Sequence, residues 1–444
     1  MTNPAYRFND FDPPVPFLTG DASVLHSIIT EINRVNCLSP EDVQKRQAAF
    51  LYKLISHFSK KSSKFSKRLN GSISRYSADT PLLDLLNLFQ PLGKHYFQKL
   101  SSDVVKVPKH HLPTYWATTS GSTGVPLKVQ CTSITRAIGM ASVPWNHLAS
   151  GTDFSWRMAS VKPTNLITGQ SDSWDPASSL LFDVGPMLSV SSSKDVLTQL
   201  DQLEKFEPDC LIVFPSVLNE YASIWERGIR EPPKLKAIRT MGETLQDETR
   251  LLVHKVTGAP VLDTYSSSEV GRIATQVAPH SPYTVNNYSL VVEVLNEAGE
   301  RCAPGEIGRV VITDLFNYAT PLVRYDIGDW AVPADAYHHK LKKVMGRSRN
   351  MITLPDGRKV WPLVGYREFS EVIPVRQFHI QQTSADSLRA RFFVDCLPCP
   401  EQQEKLKEIV RGSMGYDFNI EDLYQTEPFE KSPNGKMEDF VSLL

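Results

Sequence analysis

The stretch Thr118-Thr119-Ser120-Gly121-Ser122-Thr123-Gly124-Val125-Pro126-Leu127-Lys128 holds the densest chemistry in this sequence. Its two glycines let the backbone turn tightly and present its N–H groups, and the surrounding hydroxyls add further donors. Such a loop is a nest for phosphate oxygens. It is not a Walker A loop, because no Gly-Lys-Ser/Thr follows at the required spacing. A Ser/Thr/Gly-rich linker has the same composition, but linkers rarely sit between a strand, here Tyr115–Thr118, and a helix-bearing region. A second spacing, Cys396-Leu-Pro-Cys399, could serve metal or redox chemistry. A structural zinc site needs four ligands, usually from two such pairs, and the other cysteines (Cys37, Cys131, Cys210 and Cys302) are scattered. Two reduced thiols in a proline-flanked turn are the expectation.

The elements that must position these residues follow from periodicity. Residues 1–20 are rich in Pro, Asp and Asn and read as an irregular arm. From Ser23 to Arg68 the apolar spacing is helical, through Leu25, Ile28, Ile29 and Ile32 and then Phe50, Leu51, Leu54, Ile55 and Phe58. The basic run from Lys60 to Arg68 is expected to be a solvated helix face and exit loop. After Gly121 short strands alternate with helices. Leu211–Phe214, Leu235–Arg239 and Val261–Tyr265 read as strands, and Val217–Arg227 and Asp247–Val256 as helices. That alternation implies a parallel sheet with helices on its faces. From Ser289 the texture becomes β-rich and antiparallel, through Leu290–Leu295 and Arg309–Thr313. The last part, with Gln377–Ile380, Leu388–Val394 and Glu401–Val410, reads as a small α/β unit. There is no internal repeat and no low-complexity tract.

Bulk properties narrow the function classes. The chain has 444 residues, 41% hydrophobic and 22% charged, with a formal net charge of −1. Those values suit a soluble globular protein and give no general electrostatic reason to bind nucleic acid or an anionic membrane. The N-terminal residues lack a basic region followed by an apolar one, and no apolar run is long enough to span a bilayer. The expected location is the cytoplasm.

At the phosphate loop the sequence resembles the acyl-adenylate-forming superfamily, and within it the phenylacetate–CoA ligase-like branch. Further stretches resemble that family's motifs in the family's order. These are Pro208-Asp209 with Pro215-Ser216, then Met241-Gly242-Glu243-Thr244-Leu245, then Asp263-Thr264-Tyr265-Ser266-Ser267-Ser268-Glu269. Pro321 to Asp329, Gly346-Arg347-Ser348-Arg349-Asn350 and Pro433-Asn434-Gly435-Lys436 follow. The ordered set, from about Leu83 to the C-terminus, is far more specific than any one member. Ser266 stands where many relatives have Gly, and Asp326-Ile327 replace a frequent Arg-Thr, a variant associated with capsule-type relatives.

The resemblance implies a set of roles. Thr119, Ser120, Gly121, Ser122, Thr123, Gly124 and Lys128 would hold ATP phosphates, and Gly242, Glu243 and Ser268 would line the same site. Tyr265 would offer its face to the adenine, with Asp263 or Thr264 at the base's polar edge. Asp329 would accept hydrogen bonds from the ribose hydroxyls, and Arg347 would lie on the nucleotide side. Glu269 would bind Mg²⁺, a hard cation that takes few protein carboxylates. Lys436 would bridge the attacking carboxylate and the α-phosphate as a point charge on a flexible stem. Taken without the resemblance, Glu269 reads as a helix-start residue, Tyr265 as core, Gly328-Asp329 as a turn, and Arg347 and Lys436 as solvated charges. Some relatives carry a Cys/His zinc cluster after the Glu269 motif. Here 274–280 has no cysteine and only His280, so no zinc is expected.

The expected fold is α/β. A large N-terminal domain, 1–346, would combine parallel sheets flanked by helices with a β-rich subdomain. A small mobile α+β lid, 347–444, would follow on a hinge at Arg349 and Asn350. The implied reaction is ATP-dependent activation of a carboxylic acid, by default an aryl or arylacetic acid, to an acyl-adenylate, and then transfer to CoA. The alternative is a free-standing adenylating ligase that passes the acyl group to an amine or a carrier-protein thiol. The partners are the acid, ATP with Mg²⁺, and CoA, with no nucleic acid or membrane; a homodimer is compatible. The Leu354–Lys359 loop resembles the segment lining the pantetheine tunnel, although a surface hairpin fits it nearly as well. The acid pocket is expected between the phosphate loop and Glu243, where Trp145, Trp156, Trp174, Phe182 and Phe214 lie among residues that are more often core than ligand-lining.

Overall fold

A computed structural model of the chain describes residues 18, 20–69, 72–100, 106–118, 126–162, 168–347, 351–360, 362, 368–369, 371–429 and 440–444. The phosphate-loop positions Thr119 to Gly124, the hinge residues Arg349 and Asn350, and Lys436 lie outside the described residues.

The N-terminal helices form where the apolar period placed them, at Gly20–Asn36 and Pro40–Lys61. The second has a full set of end signals: Ser39 accepts from the Asp42 N–H, Pro40 sits in the first turn, Glu41 and Asp42 follow it, and Lys60 and Lys61 close the last turn. Its buried face, including Leu51, Leu54, Ile55 and Phe58, packs with Leu85, Leu86 and Phe89 and with Leu315 and Val323 from far along the chain. Arg68 corrects one expectation, because it leaves the solvated face. Its guanidinium lies over Phe89, Tyr96 and Phe97, and Nη2 donates to the Val323 carbonyl at 2.8 Å.

Among the described residues one sheet of 13 strands dominates. Its parallel part runs in the order Met187–Ser191, Met158–Lys162, Cys210–Val213, Ala237–Met241, Val261–Ser267. The helices Val196–Phe206, Pro215–Glu226 and Asp247–Thr257 connect these strands. Leu203, Leu218, Tyr221 and Val253 from the helices and Leu211, Ile238 and Val261 from the strands share one core. The sequence reading separated a parallel sheet from a β-rich subdomain. In the structure both belong to the same sheet: at Ser267 the chain turns through 268–270 and returns antiparallel as Gly271–Thr275. Tyr283–Val285, Lys340–Arg347, Tyr325–Pro333, Gly308–Asp314 and Leu290–Leu295 extend it in that order, all antiparallel.

A second, four-stranded sheet is built from Asn419–Gln425, Ser387–Val394, Val375–Ser384 and Phe440–Ser442, in that order. It packs with the helix Pro400–Met414 around its own core of Phe369, Phe378, Phe392, Leu406 and Val410, among others. Among the described residues none before Ile352 enters that core. Ile352–Thr353 and Lys359–Val360 pair as a small antiparallel hairpin, with Gly357 at φ +85° in the turn. No helix among the described residues is long and apolar enough to cross a membrane.

Candidate functional site

The candidates from Asp263 to Glu269 lie where the sheet changes from parallel to antiparallel. The stretch expected to hold phosphates is bracketed by a two-stranded ribbon, Thr114–Thr118 with Lys128–Thr132, in which Thr118 is opposite Lys128. The loop therefore returns into a strand before the helix Ser133–Ala149 begins, a strand the sequence reading did not place. Alternation along it buries Val129 and Cys131 and leaves Lys128 exposed at the loop's exit. A turn-rich segment holds this ribbon in position. The Gln130 N–H donates to Thr320 Oγ1 at 3.0 Å, and the Thr320 N–H donates to Asn317 Oδ1. The Asn317 N–H in turn donates to Asp314 Oδ1.

Two carboxylates among the candidates are each held by a tyrosine, and one of those tyrosines, Tyr325, packs with Val129 and Cys131 of the ribbon. Tyr265, near the end of Val261–Ser267, donates its hydroxyl to Asp329 Oδ2 at 2.6 Å. Arg347 Nε lies 3.6 Å from Asp329 Oδ1, from the neighbouring strand where Asp329 and Arg347 are register partners. Burial raises the Asp329 pKa above the usual carboxylate range, and Arg347 and the Tyr265 hydrogen bond oppose the rise. Glu269, half-buried in the turn after Val261–Ser267, accepts from the Tyr325 hydroxyl at 3.1 Å. Burial pushes the Tyr325 phenol well up, and the nearby Glu269 adds to this, so it remains a protonated donor. No other hydrogen bond to Glu269 forms among the described residues.

Tyr325 owes its place to Arg324, which adopts a left-handed backbone at φ +47°. That conformation is costly for a non-glycine residue and persists only where the surroundings over-determine it. Here they do. The Arg324 N–H donates to Thr313 Oγ1, its guanidinium makes two bonds to the buried Glu293 carboxylate (3.1 and 3.0 Å), and Nη1 reaches the Phe89 carbonyl.

Other sequence candidates are engaged by the fold itself. Asp263 is buried with both oxygens occupied, by Thr240 Oγ1 at 2.5 Å and the Tyr283 hydroxyl at 2.7 Å. Burial raises its pKa, and those two bonds oppose the rise. Thr264 is buried beside Thr275, at 3.1 Å between their hydroxyl oxygens, and Asn146 approaches it to 3.5 Å. Glu243 Oε2 accepts from the Ser216 N–H in the first turn of Pro215–Glu226, where a carboxylate favours the helix dipole. Gly242, at φ +84°, makes that approach at the end of Ala237–Met241. Ser268 is exposed in the turn. Trp174 and Phe182 stack with Phe154 in a core shared with the first helix, and Phe214 joins the core under the parallel strands. Trp145 belongs to the same core as Trp174 but borders a charged side chain, Arg272, at 4.3 Å.

Among the described residues no group of three or more His, Cys, Asp or Glu is placed to hold a metal ion. All six cysteines are free; Cys396 and Cys399 are exposed, and Cys399 caps the helix Pro400–Met414. His280 is exposed at φ +57°. The sequence reading did not identify Tyr325 as the partner of Glu269, nor Tyr283, Thr240 and Arg272. Arg272 had a signal, a cation beside the apolar Ile273 and Ala274 in the short strand Gly271–Thr275.

No protein-family model matches the chain. It is 26% identical over 223 residues to phenylacetate-coenzyme A ligase of Pseudomonas putida, covering 47% of this chain and 51% of that protein. It is 27% identical over 164 residues to Protein CapK of Staphylococcus aureus, covering 34% of each. The chain thus spans about half the length of the first of these curated relatives and a third of the second. Among solved structures it superposes on 2-hydroxyisobutyryl-CoA ligase in the postadenylation state, in complex with R3-HIB-AMP, with a TM-score of 0.67 at 15% identity. That match covers 90% of this chain and 89% of the ligase. The same ligase with 2-HIB-AMP and CoA in the thioesterification state gives 0.55, with 90% and 89% covered, also at 15% identity. The fold is that of 2-hydroxyisobutyryl-CoA ligase, and the sequence likeness, over about half the chain, is to phenylacetate-coenzyme A ligase.

Proposed function

We propose that this chain activates a carboxylic acid with ATP as an acyl-adenylate and then transfers the acyl group to CoA. The observation carrying this reading is that residues of motifs far apart in sequence meet in the fold, and that one of them, Tyr325, packs with Val129 and Cys131 of the ribbon. Tyr265 meets Asp329, Asp329 meets Arg347, and Glu269 meets Tyr325. Likeness to phenylacetate–CoA ligase, and a fold shared with a ligase captured with acyl-AMP and CoA, support the same reading.

In this mechanism a carboxylate oxygen of the acid attacks the α-phosphorus of ATP, and the bond to pyrophosphate breaks. The CoA thiolate then attacks the acyl carbon and AMP leaves. Catalysis of the first step is mainly charge neutralisation and positioning. Asp329 would hold the ribose hydroxyls through the oxygen that Tyr265 leaves free, with Arg347 beside it. The Tyr265 ring would border the base. Glu269 fits a magnesium ion, because its one hydrogen bond, from a phenol that stays protonated, leaves carboxylate oxygen available to a hard cation. When bound, Mg²⁺ would neutralise triphosphate charge. The loop of Thr119 to Gly124 would cradle the phosphates, and Lys436 would bring a cation to the acid and α-phosphate. The unit from 347 onward would act as a lid, turning at Arg349 and Asn350, and the 352–360 hairpin would border the thiol channel.

The test is ATP–pyrophosphate exchange across a panel of carboxylic acids, followed by product analysis with CoA. Acid-dependent exchange and a CoA thioester are expected. ADP as the nucleotide product, or exchange with no acid tried, counts against adenylation. An amide formed in preference to a thioester counts against CoA.

A further inference from the structure

Arg272 lies on Gly271–Thr275, opposite Ser266 and three residues past Glu269. Its guanidinium carbon sits 4.3 Å from the centre of the Trp145 ring, a cation–π contact with the helix Ser133–Ala149. Nη2 is 3.5 Å from Ser142 Oγ, which itself donates to the Ile138 carbonyl. Nε and Nη1 are sealed from solvent and have no hydrogen-bond partner among the described residues. Burial alone lowers the Arg272 pKa, to about 9, and no acidic group opposes it. The side chain is therefore still cationic at neutral pH.

A buried guanidinium that lacks an anion is costly, and natural proteins pair such groups. The other buried arginines here have structural work. Arg324 pairs with Glu293, and Arg250 donates to the Val261 carbonyl and Gln276 Oε1. Arg68 and Arg239 also keep unpartnered nitrogens. Arg68, however, lies among three aromatic rings. Arg239 donates to Ser150 and Thr152 at the C-terminal end of Ser133–Ala149, where the helix dipole favours a cation. Arg272 has a single ring, Trp145, against one face, and neither a second ring nor a helix C-terminus to offset its charge. A polar cluster lies between the same helix and the same pair of strands, where Thr264, Thr275 and Asn146 are bonded together.

We infer that Arg272 receives a second oxyanion, a distal carboxylate, on the acid that this chain activates. The inference rests on the adenylation reading and deepens it from carboxylic acid to dicarboxylic acid. The reacting carboxylate must reach the nucleotide beside Glu269. The rest of the molecule would then extend between Gly271–Thr275 and Ser133–Ala149, where the unpartnered Nε and the neighbouring Nη2, 3.5 Å from Ser142 Oγ, form the two-donor edge that matches a carboxylate. This differs from the plain aryl or arylacetic acid expected by default.

The test compares acids in pairs that differ only in a distal carboxylate or a methyl group, aliphatic and aromatic, by pyrophosphate exchange and by direct calorimetric binding without ATP. Wild type should favour the carboxylate member by about tenfold or more, the worth of a charge-assisted hydrogen bond. Arg272→Met should reverse the preference, and Arg272→Lys should partly restore it. Thermal denaturation of the unliganded Met variant should show no loss of stability, since an unpaired buried charge has been removed. Equal affinity of wild type for both members of every pair overturns the inference, as does a Met variant that loses stability yet keeps the wild-type preference. If no acid supports exchange while calorimetry still shows the Arg272-dependent preference, the adenylation reading fails and the distal-carboxylate site stands.

Discussion

Tyr265 and Asp329, 64 positions apart in sequence, share a 2.6 Å hydrogen bond in a buried setting. The bond ties the two stretches that the motifs assign to adenine and ribose into one unit. The Tyr265 hydroxyl is therefore a positioning group for Asp329, and its ring is held in place by that contact.

Tyr265→Phe keeps the ring and removes the donor. The ATP KM should rise about tenfold, in line with loss of a hydrogen bond to a charged group. The pH dependence separates this from a packing effect. Burial already raises the Asp329 pKa and the Tyr265 bond opposes that rise, so deleting the bond raises the pKa further. Ribose binding needs the ionised carboxylate, so ATP affinity in Tyr265→Phe should begin to fail at a higher pH than in wild type. Asp329→Ala should weaken ATP at every pH. A Tyr265→Phe profile with an unmoved acid limb would separate Tyr265 from Asp329 function.

Glu269→Gln should raise the Mg²⁺ concentration needed for half-maximal exchange, because a neutral amide is a poor ligand for a hard cation. Tyr325→Phe should have a smaller effect of the same kind, since it frees the carboxylate but loosens its orientation. Magnesium titrations of the three proteins decide it. Identical curves would move the metal site elsewhere.

Much of this arrangement was legible in the sequence, for identifiable reasons. The strands of the parallel part are short apolar runs bounded by helices, and burial on both faces leaves that mark; Cys210–Val213 and Val261–Ser267 fall within a residue or two of the expected limits. What was not legible depends on contacts between distant segments. Nothing local says that Asp263 will be closed off by Thr240 and Tyr283, or that Glu243 will cap a helix beginning at Pro215. The merging of the two sheet types was missed because the turn at 268–270 was seen only as part of a motif. Arg68 was read with its lysine neighbours because a basic run carries no sign of which member finds three aromatic rings.

Asp314 supplies a stability prediction. It is buried, accepts from the Phe316 and Asn317 N–H groups, and burial raises its pKa from 3.8 to about 6. A folded-state pKa above the unfolded one means the native protein binds more protons between about pH 4 and pH 6. This carboxyl's contribution to stability therefore falls as pH rises through that window and is flat above it. Asp314→Asn keeps an acceptor oxygen and removes the titration. Relative to wild type, the variant should gain roughly 2–3 kcal/mol between pH 4 and pH 7. Denaturant unfolding across that range checks it. A difference independent of pH would mean that the Asp314 carboxyl titrates normally in the fold.

Among the described residues two contacts join the C-terminal sheet to the helix Pro215–Glu226 and the residue after it. Gln377 Nε2 donates to Glu220 Oε1 at 2.7 Å, and Arg227 pairs with Asp395 at 3.0 Å while Arg376 holds the same carboxylate at 2.7 Å. The Arg227–Asp395 pair is about one third exposed, so by itself it should contribute under about 1 kcal/mol. Contacts of that strength can break on each turnover, as the proposed lid movement requires. If the described placement serves adenylation, Gln377→Ala with Asp395→Ala should slow pyrophosphate exchange several-fold and leave thioester formation from pre-made acyl-adenylate at least as fast as in wild type. Lys436→Ala should show the same split more severely, abolishing exchange and largely sparing the thioester step, because its charge is needed only while negative charge gathers at the α-phosphate. Asn350→Pro should do the reverse, keeping exchange and impairing CoA ligation by stiffening the hinge. The two half-reactions are measured separately for each variant. If the contact variant instead slowed only the thioester step, the described placement would belong to the second half-reaction, and Lys436 would have to act from a different arrangement.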